Sequence, residues 1–356
     1  MENTNFNFIR LTSEPMSKDM EIRANKMMSR LTSQASENTK RESCYFCGKS
    51  CTSFCNSHSI PIFALNRIAE NGKVYSFIDK SLKPSKENRG IKNTGTFQII
   101  CKDCDSKVFH DYENPDGYNN SPLDAMLSQI AMKNYLYLIW KMTNIKEFYR
   151  LLKNKGYPGI TDEKIFWAEI DFDNYSKEYQ YSKKALEKDN NPYYLCFFKH
   201  LDYVIPYAAQ DAITLVGDLE DNLINDIYND DIKARASCIH IMALPLKESS
   251  VVLAFIKNGD KRYRKFYKQL RSLSLEEQLS TINYILFSNT ENIFVNPTVA
   301  KTLLDNDVFQ DICIKTADYT TNIFNINISP LKQAIKEFSL SQRKLIPNLL
   351  DRKYSL

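Results

Sequence analysis

Glycine is scarce in this 356-residue chain, at nine residues. No glycine-rich phosphate loop, dinucleotide fingerprint, Gly-x-Ser-x-Gly elbow or kinase motif set occurs, so none of the enzyme classes those motifs define is indicated. No run of 18 or more apolar residues is present, which argues against a transmembrane helix. The first six residues, Met1 to Phe6, have neither the basic nor the apolar region of a secretory signal. Internal repeats and low-complexity tracts are absent too. Nine cysteines are present, an odd number. Without an export signal they read as reduced thiols and metal ligands rather than a disulfide framework, and the expected setting is cytoplasmic, with no membrane partner.

The chain does have apolar residues in quantity: 43% are hydrophobic and 12% aromatic, enough for a packed core over more than one domain. It also has two C-x-x-C pairs, Cys44-Tyr45-Phe46-Cys47 and Cys101-Lys102-Asp103-Cys104. Each pair spans one tight turn, so both of its sulfurs can face a single tetrahedral ion at about 2.3 Å, as a structural zinc site requires. Gly48 suits the knuckle turn after the first pair, and the strand-like Thr96–Ile100 leads into the second. Fifty-three residues lie between the pairs, more than a simple zinc ribbon needs. His58 stands in that insert, within Cys55-Asn56-Ser57-His58-Ser59-Ile60-Pro61.

The expected class is α+β, with a small zinc-bound ββα or treble-clef-like module, then a helical segment, then a mixed α+β domain. Residues 1–40 read as a flexible N-terminal arm with a short helix near Lys18–Ser33. Residues 41–118 form the zinc module, including a strand over Gly72–Ile78 and a polar basic loop over Lys80–Gly95. Residues 119–190 are helical: Leu123, Met126, Leu127, Ile130, Ala131, Leu136 and Ile139 make one apolar face, with a break near Thr143, and Asp162–Asp189 is a charged surface helix. Residues 191–356 form the α+β domain. It has a strand or strand pair over Tyr193–Ile205, a short strand over Ala212–Val216, and a hairpin pairing Cys238–Leu244 with Ser250–Ile256.

The order C-x-x-C, histidine before a proline-bounded segment, strand, C-x-x-C and helix resembles the HNH branch of the His-Me finger nucleases over residues 41–115. The resemblance implies Cys44, Cys47, Cys101 and Cys104 as structural Zn²⁺ ligands. It implies His58 as the base that takes a proton from water attacking a DNA phosphate, a role suited to an imidazole titrating near neutrality. Mg²⁺ or Mn²⁺ would stabilise the developing charge. On the helix after Cys104 the resemblance implies Asp105 as a candidate ligand of that ion, with His110, Asp111 and Glu113 further along. Asp105 stands where the family usually has His or Asn, and Asn93 and Asn56 are candidates to orient the base. Ser57 replaces the acidic residue or histidine common before the base, and Thr96 the usual central Asn.

Two functions follow, of different classes. One is a metal-dependent DNA endonuclease, of the kind found in defence or mobile-element biology. The other is a zinc-stabilised module that binds nucleic acid or protein without cleaving it. Residues 40–110 carry twelve Lys/Arg against six Asp/Glu, and Lys83, Lys86, Arg89 and Lys92 are candidate phosphate contacts. A second basic face, with Lys261, Arg264 and Lys265 among Tyr263, Phe266 and Tyr267, suits either phosphates and bases or plain solvent. His200 and His240 read as satisfied strand residues, Cys196, Cys238 and Cys313 as buried thiols, and Asp218–Asp231 as a solvated acidic loop.

Overall fold

The computed structural model describes residues 17–76, 88–157, 162–188, 190, 192–229, 231, 235–303, 306–318 and 329–356. Lys80, Lys83 and Lys86, with the end of the strand expected over Gly72–Ile78, lie outside these residues. The protein is mixed α+β, as expected, with the cysteine pairs near its N-terminus and a β-sheet in its C-terminal part.

Residues 18–38, expected as part of a flexible arm, form helix α1 (Lys18–Asn38). Its sequence shows only a weak period because it buries a narrow stripe: Leu31 and Ala35 pack on Phe148, Tyr149 and Leu152. The module follows, with β1 (Ser57–His58), α2 (Ile62–Ile68), β2 (Lys73–Tyr75), β3 (Asn88–Gly90), β4 (Thr96–Phe97) and α3 (Lys102–Val108). Helix α4 (Asp124–Asn154) runs for 31 residues without the break expected near Thr143. Thr143 Oγ1 and Asn144 Nδ2 donate to the carbonyls of Ile139 and Trp140, one turn back, so both polar residues are absorbed within the helix. Helix α5 (Asp162–Lys188) lies against it.

Strands β5 (Tyr193–Leu201), β6 (Tyr207–Ile213), β7 (Ile239–Pro245) and β8 (Ser250–Lys257) follow, then α6 (Arg264–Ser272), α7 (Leu275–Asn289) and β9 (Ile293–Val295). The β7–β8 hairpin turns where expected, while the short strand lies at 207–213 rather than 212–216. The chain closes with α8 (Pro297–Leu303), α9 (Asp307–Asp318) and α10 (Pro330–Glu337).

One antiparallel sheet in the order β3-β2-β9-β6-β7-β8-β5 joins the two ends of the chain. Short β9 bridges them, with Val295 opposite both Tyr75 of β2 and Tyr207 of β6. The module's hairpin is therefore an extension of the C-terminal sheet. Every residue of β6 and β7 is buried, because both sheet faces are covered. On one face Met242, Leu244, Leu253 and Phe255 pack with α2, α4 and the cysteine module. On the other Ile239, Ile241, Val252 and Ala254 pack with α6, α7, α9 and the C-terminal residues Leu349 and Leu350. Helices, sheet and helices thus form three layers.

Candidate metal centre and its surroundings

The first knuckle closes locally. The Gly48 N–H donates to the Cys44 carbonyl at 2.9 Å, and Gly48 takes the left-handed φ of 71° that a side chain would resist. The second pair sits at a helix start: Cys101 is the residue before α3, and the Asp105 N–H donates to its carbonyl at 3.0 Å. Tyr45 N–H to the Ile99 carbonyl, at 2.9 Å, holds the two turns side by side.

The sulfurs of Cys44, Cys47, Cys101 and Cys104 all lie within 4.8 Å of one another. A tetrahedron of sulfurs about 2.3 Å from zinc needs edges of about 3.8 Å, so little closing is required. Burial would push the Cys44 thiol up, but hydrogen bonds from the Cys47, Cys101 and Phe46 backbone hold it down at about 7, toward the thiolate a metal needs, while burial pushes the Cys104 thiol up. The set fits a tetrahedral soft-metal site. Cys51 and Cys55 stand apart from it: Cys51 Sγ donates to the Lys49 carbonyl and Cys55 Sγ to Asp105 Oδ2. Burial, then the Asp105 charge, pushes the Cys55 thiol up to about 12.

From this clamp a two-stranded ribbon leads into a helix. Strands β1 and β4 pair antiparallel, Ser57 opposite Phe97 and His58 opposite Thr96, and α3 follows β4. Adjacent side chains of a strand point to opposite faces, and that alternation divides the expected catalytic residues. His58 is half-buried, with Nε2 3.0 Å from the Ile91 carbonyl. A carbonyl only accepts, so Nε2 carries the proton and Nδ1 is left as the acceptor. Asn56, two residues earlier, donates to the Lys92 carbonyl at 3.0 Å. Both are thus held to the short turn at 91–93. Ser57 faces the other way and donates to Asp105 Oδ1 at 2.6 Å. The structure brings Asn56 and His58 to one side of the ribbon and places Asp105 on the other.

Asp105 meets a residue that the sequence reading missed. Lys133 of α4 is fully buried, with its ammonium 2.8 Å from Ser57 Oγ, 2.9 Å from Asp105 Oδ1 and 3.0 Å from Glu113 Oε1. It also lies 4.1 Å from the centre of the Phe109 ring. Burial would push the Asp105 carboxyl up, but the Lys133 charge and the bonds from Ser57, Lys133 and Cys55 hold it below the ordinary carboxylate range. Only its place among the apolar residues of α4 marked Lys133, and its partners stand 20, 28 and 76 residues away.

A second buried network links the module to the sheet. Tyr112 OH donates to Gln210 Oε1 at 2.8 Å, Gln210 Nε2 to Asn134 Oδ1 at 2.7 Å, and Asn134 Nδ2 to His240 Nδ1 at 3.1 Å. His240 is the satisfied strand histidine expected, stacked on Phe255 at 4.6 Å. Burial pulls its imidazole down to about 3. Unfolded, the group titrates near 6.5. Between those values the unfolded chain binds the extra proton, so stability rises with pH and is lost as pH falls below about 6.5. Unfolding free energies from urea titrations should be lower at pH 5 than at pH 6.5 by roughly 1.6 kcal/mol from this residue alone, and the His240→Asn variant should lack that increment. Equal pH dependence in both proteins would contradict this role.

Of the expected phosphate contacts, Lys92 is exposed and Arg89 half-buried in β3. Lys261 and Arg264 are exposed, and neither has an ion-pair partner among the described residues. Lys265 differs: its ammonium is 2.6 Å from Glu220 Oε2 and 3.8 Å from Asp218 Oδ2, so the acidic loop neutralises it. Among the described residues no helix is long and apolar enough to cross a membrane. No protein-family model, curated protein or solved structure matches the chain.

Proposed function

We propose that this chain binds nucleic acid through a zinc-clamped ββα module of the HNH kind, without cleaving it. The observation that carries this reading is the arrangement of Lys133. Asp105, the acidic candidate ligand that the resemblance implies on α3, already has a cation: a buried ammonium shared with Ser57 and Glu113. That carboxylate also lies across the ribbon from His58. The residues do not fit a divalent ion between Asp105 and the base. Zinc fits the Cys₄ set, where it would tie the Cys44 knuckle to the start of α3. Exposed Lys49, Arg67, Lys73, Lys92, Lys102 and Lys107 supply positive charge for a phosphate backbone.

An endonuclease is the second reading, favoured by one observation: His58 keeps Nδ1 as an acceptor while the Ile91 carbonyl fixes its ring. The two readings part in a single assay. Supercoiled plasmid is incubated with the protein and its His58→Ala variant, with and without Mg²⁺ or Mn²⁺, beside a gel-shift lane. Retarded but unnicked plasmid with both proteins is expected. Metal-dependent nicking that the substitution abolishes would establish the endonuclease instead.

A further inference from the structure

The groove between β8 and the start of α6 has the composition of a ligand site. Its volume is about 240 Å³, and Tyr194, Tyr267, Asn258, Gly259, Lys261 and Arg264 line it. This falls below the roughly 300–1,000 Å³ of sites that enclose a whole drug-sized ligand, so it suits a small ligand of mononucleotide size that is only partly enclosed. The tyrosines form one wall, their ring centres 5.4 Å apart. Arg271 fixes that wall: its guanidinium lies 5.4 and 5.3 Å from the two rings, and it donates to Tyr194 OH at 2.7 Å and to the Cys196 carbonyl. Tyr194 nevertheless keeps 37% of its surface exposed, and with the two rings tilted 50° to each other a base would lie against the edge or face of one of them.

The cations around the groove divide into two sets. Arg262 is held by Asp260 and the Arg235 carbonyl, Lys265 by Glu220, and Arg271 by Tyr194. Lys261 and Arg264 line the groove and are spared such pairs among the described residues. Asp260, the groove's carboxylate, is taken up by Arg262 and Ser237. Gly259 has φ 82°, and a Cβ there would meet nothing within 4 Å, so the floor is open.

We infer that this groove binds a nucleoside phosphate, with the base against Tyr194 and Tyr267 and the phosphate between Lys261 and Arg264. Stacking on aromatics accepts any base, and a guanidinium beside an ammonium matches a phosphate. The same chemistry is offered by a free nucleotide or by an unpaired nucleotide of a strand. The site lies on the sheet face opposite the cysteine module, since α6 packs with the other core. It therefore does not rest on the ββα reading, and either can fail alone.

The test titrates the full-length protein with AMP, adenosine, inorganic phosphate and a ten-nucleotide oligo(dA), following heat and tyrosine fluorescence. AMP is expected to bind at least tenfold more tightly than adenosine or phosphate alone. Lys261→Gln and Arg264→Gln should each weaken AMP by about tenfold, the loss of one charge-assisted contact, and Tyr267→Leu should weaken AMP but not phosphate. Oligonucleotide binding that weakens in the Lys261→Gln/Arg264→Gln double variant identifies a strand as the source, and AMP binding lost in that variant while oligonucleotide affinity is unmoved identifies a free nucleotide. Absence of AMP binding, AMP no tighter than phosphate, or AMP affinity unmoved in the Lys261→Gln/Arg264→Gln double variant overturns the inference.

Discussion

Removing the metal should unfold the N-terminal module and loosen the sheet edge it supplies. The Cys₄ cluster joins a knuckle at 44–48 to the start of α3, and the segment between carries β1, α2, β2, β3 and β4. Structural zinc contributes on the order of 10 kcal/mol to folding in small modules. Part of that loss is offset here, because α2 and β2 also pack on the main sheet. A strong chelator, or Cys101→Ser, is therefore expected to lower the thermal midpoint by well over 10 °C and to release the amide protection of residues 44–58 and 96–108. A midpoint unmoved by chelation, with the metal shown to be gone, would mean that the fold does not depend on the cluster.

Replacing Lys133 by Met is the second large effect, at about 3–5 kcal/mol. The cost arises from what is left behind. Asp105 is nearly buried, with 14% of its side chain exposed, and Glu113 keeps 35%, so two carboxylates would face each other without their cation. The double variant Lys133→Met/Asp105→Asn should recover a substantial part of the loss, because one unpaired charge goes with the lysine. Chemical denaturation of the three proteins measures it. Equal stability of the single and double variants would show that Asp105 and Lys133 do not act as a pair.

These two features differ in how far the sequence announces them. A C-x-x-C pair is a local object: two sulfurs on one turn, readable without knowing what lies elsewhere. The same holds for the apolar period of α4 and for the β7–β8 hairpin. Lys133 has no local signature, since its three partners come from β1, α3 and the residues after it. The joining of β2 to the C-terminal sheet was hidden for the same reason: among the described residues three-residue β9 pairs with it at Val295 and Tyr75 alone. The separation of His58 from Asp105 follows from strand alternation, but only once Ser57 is known to face Asp105. Helix α1 was half legible. Its buried stripe of Leu31 and Ala35 is too narrow to announce a packed helix, and its partners on α4 are more than 100 residues away.

The clamp is tested most directly by measuring the metal itself. Elemental analysis of the purified protein, followed by X-ray absorption at the zinc edge, is expected to give one zinc per chain bound by four sulfurs at about 2.3 Å. Loss of that signal in Cys44→Ser and its persistence in Cys51→Ser would assign it to the cluster. A folded, fully stable protein with no bound metal, or a first coordination shell containing nitrogen or oxygen, would contradict the account.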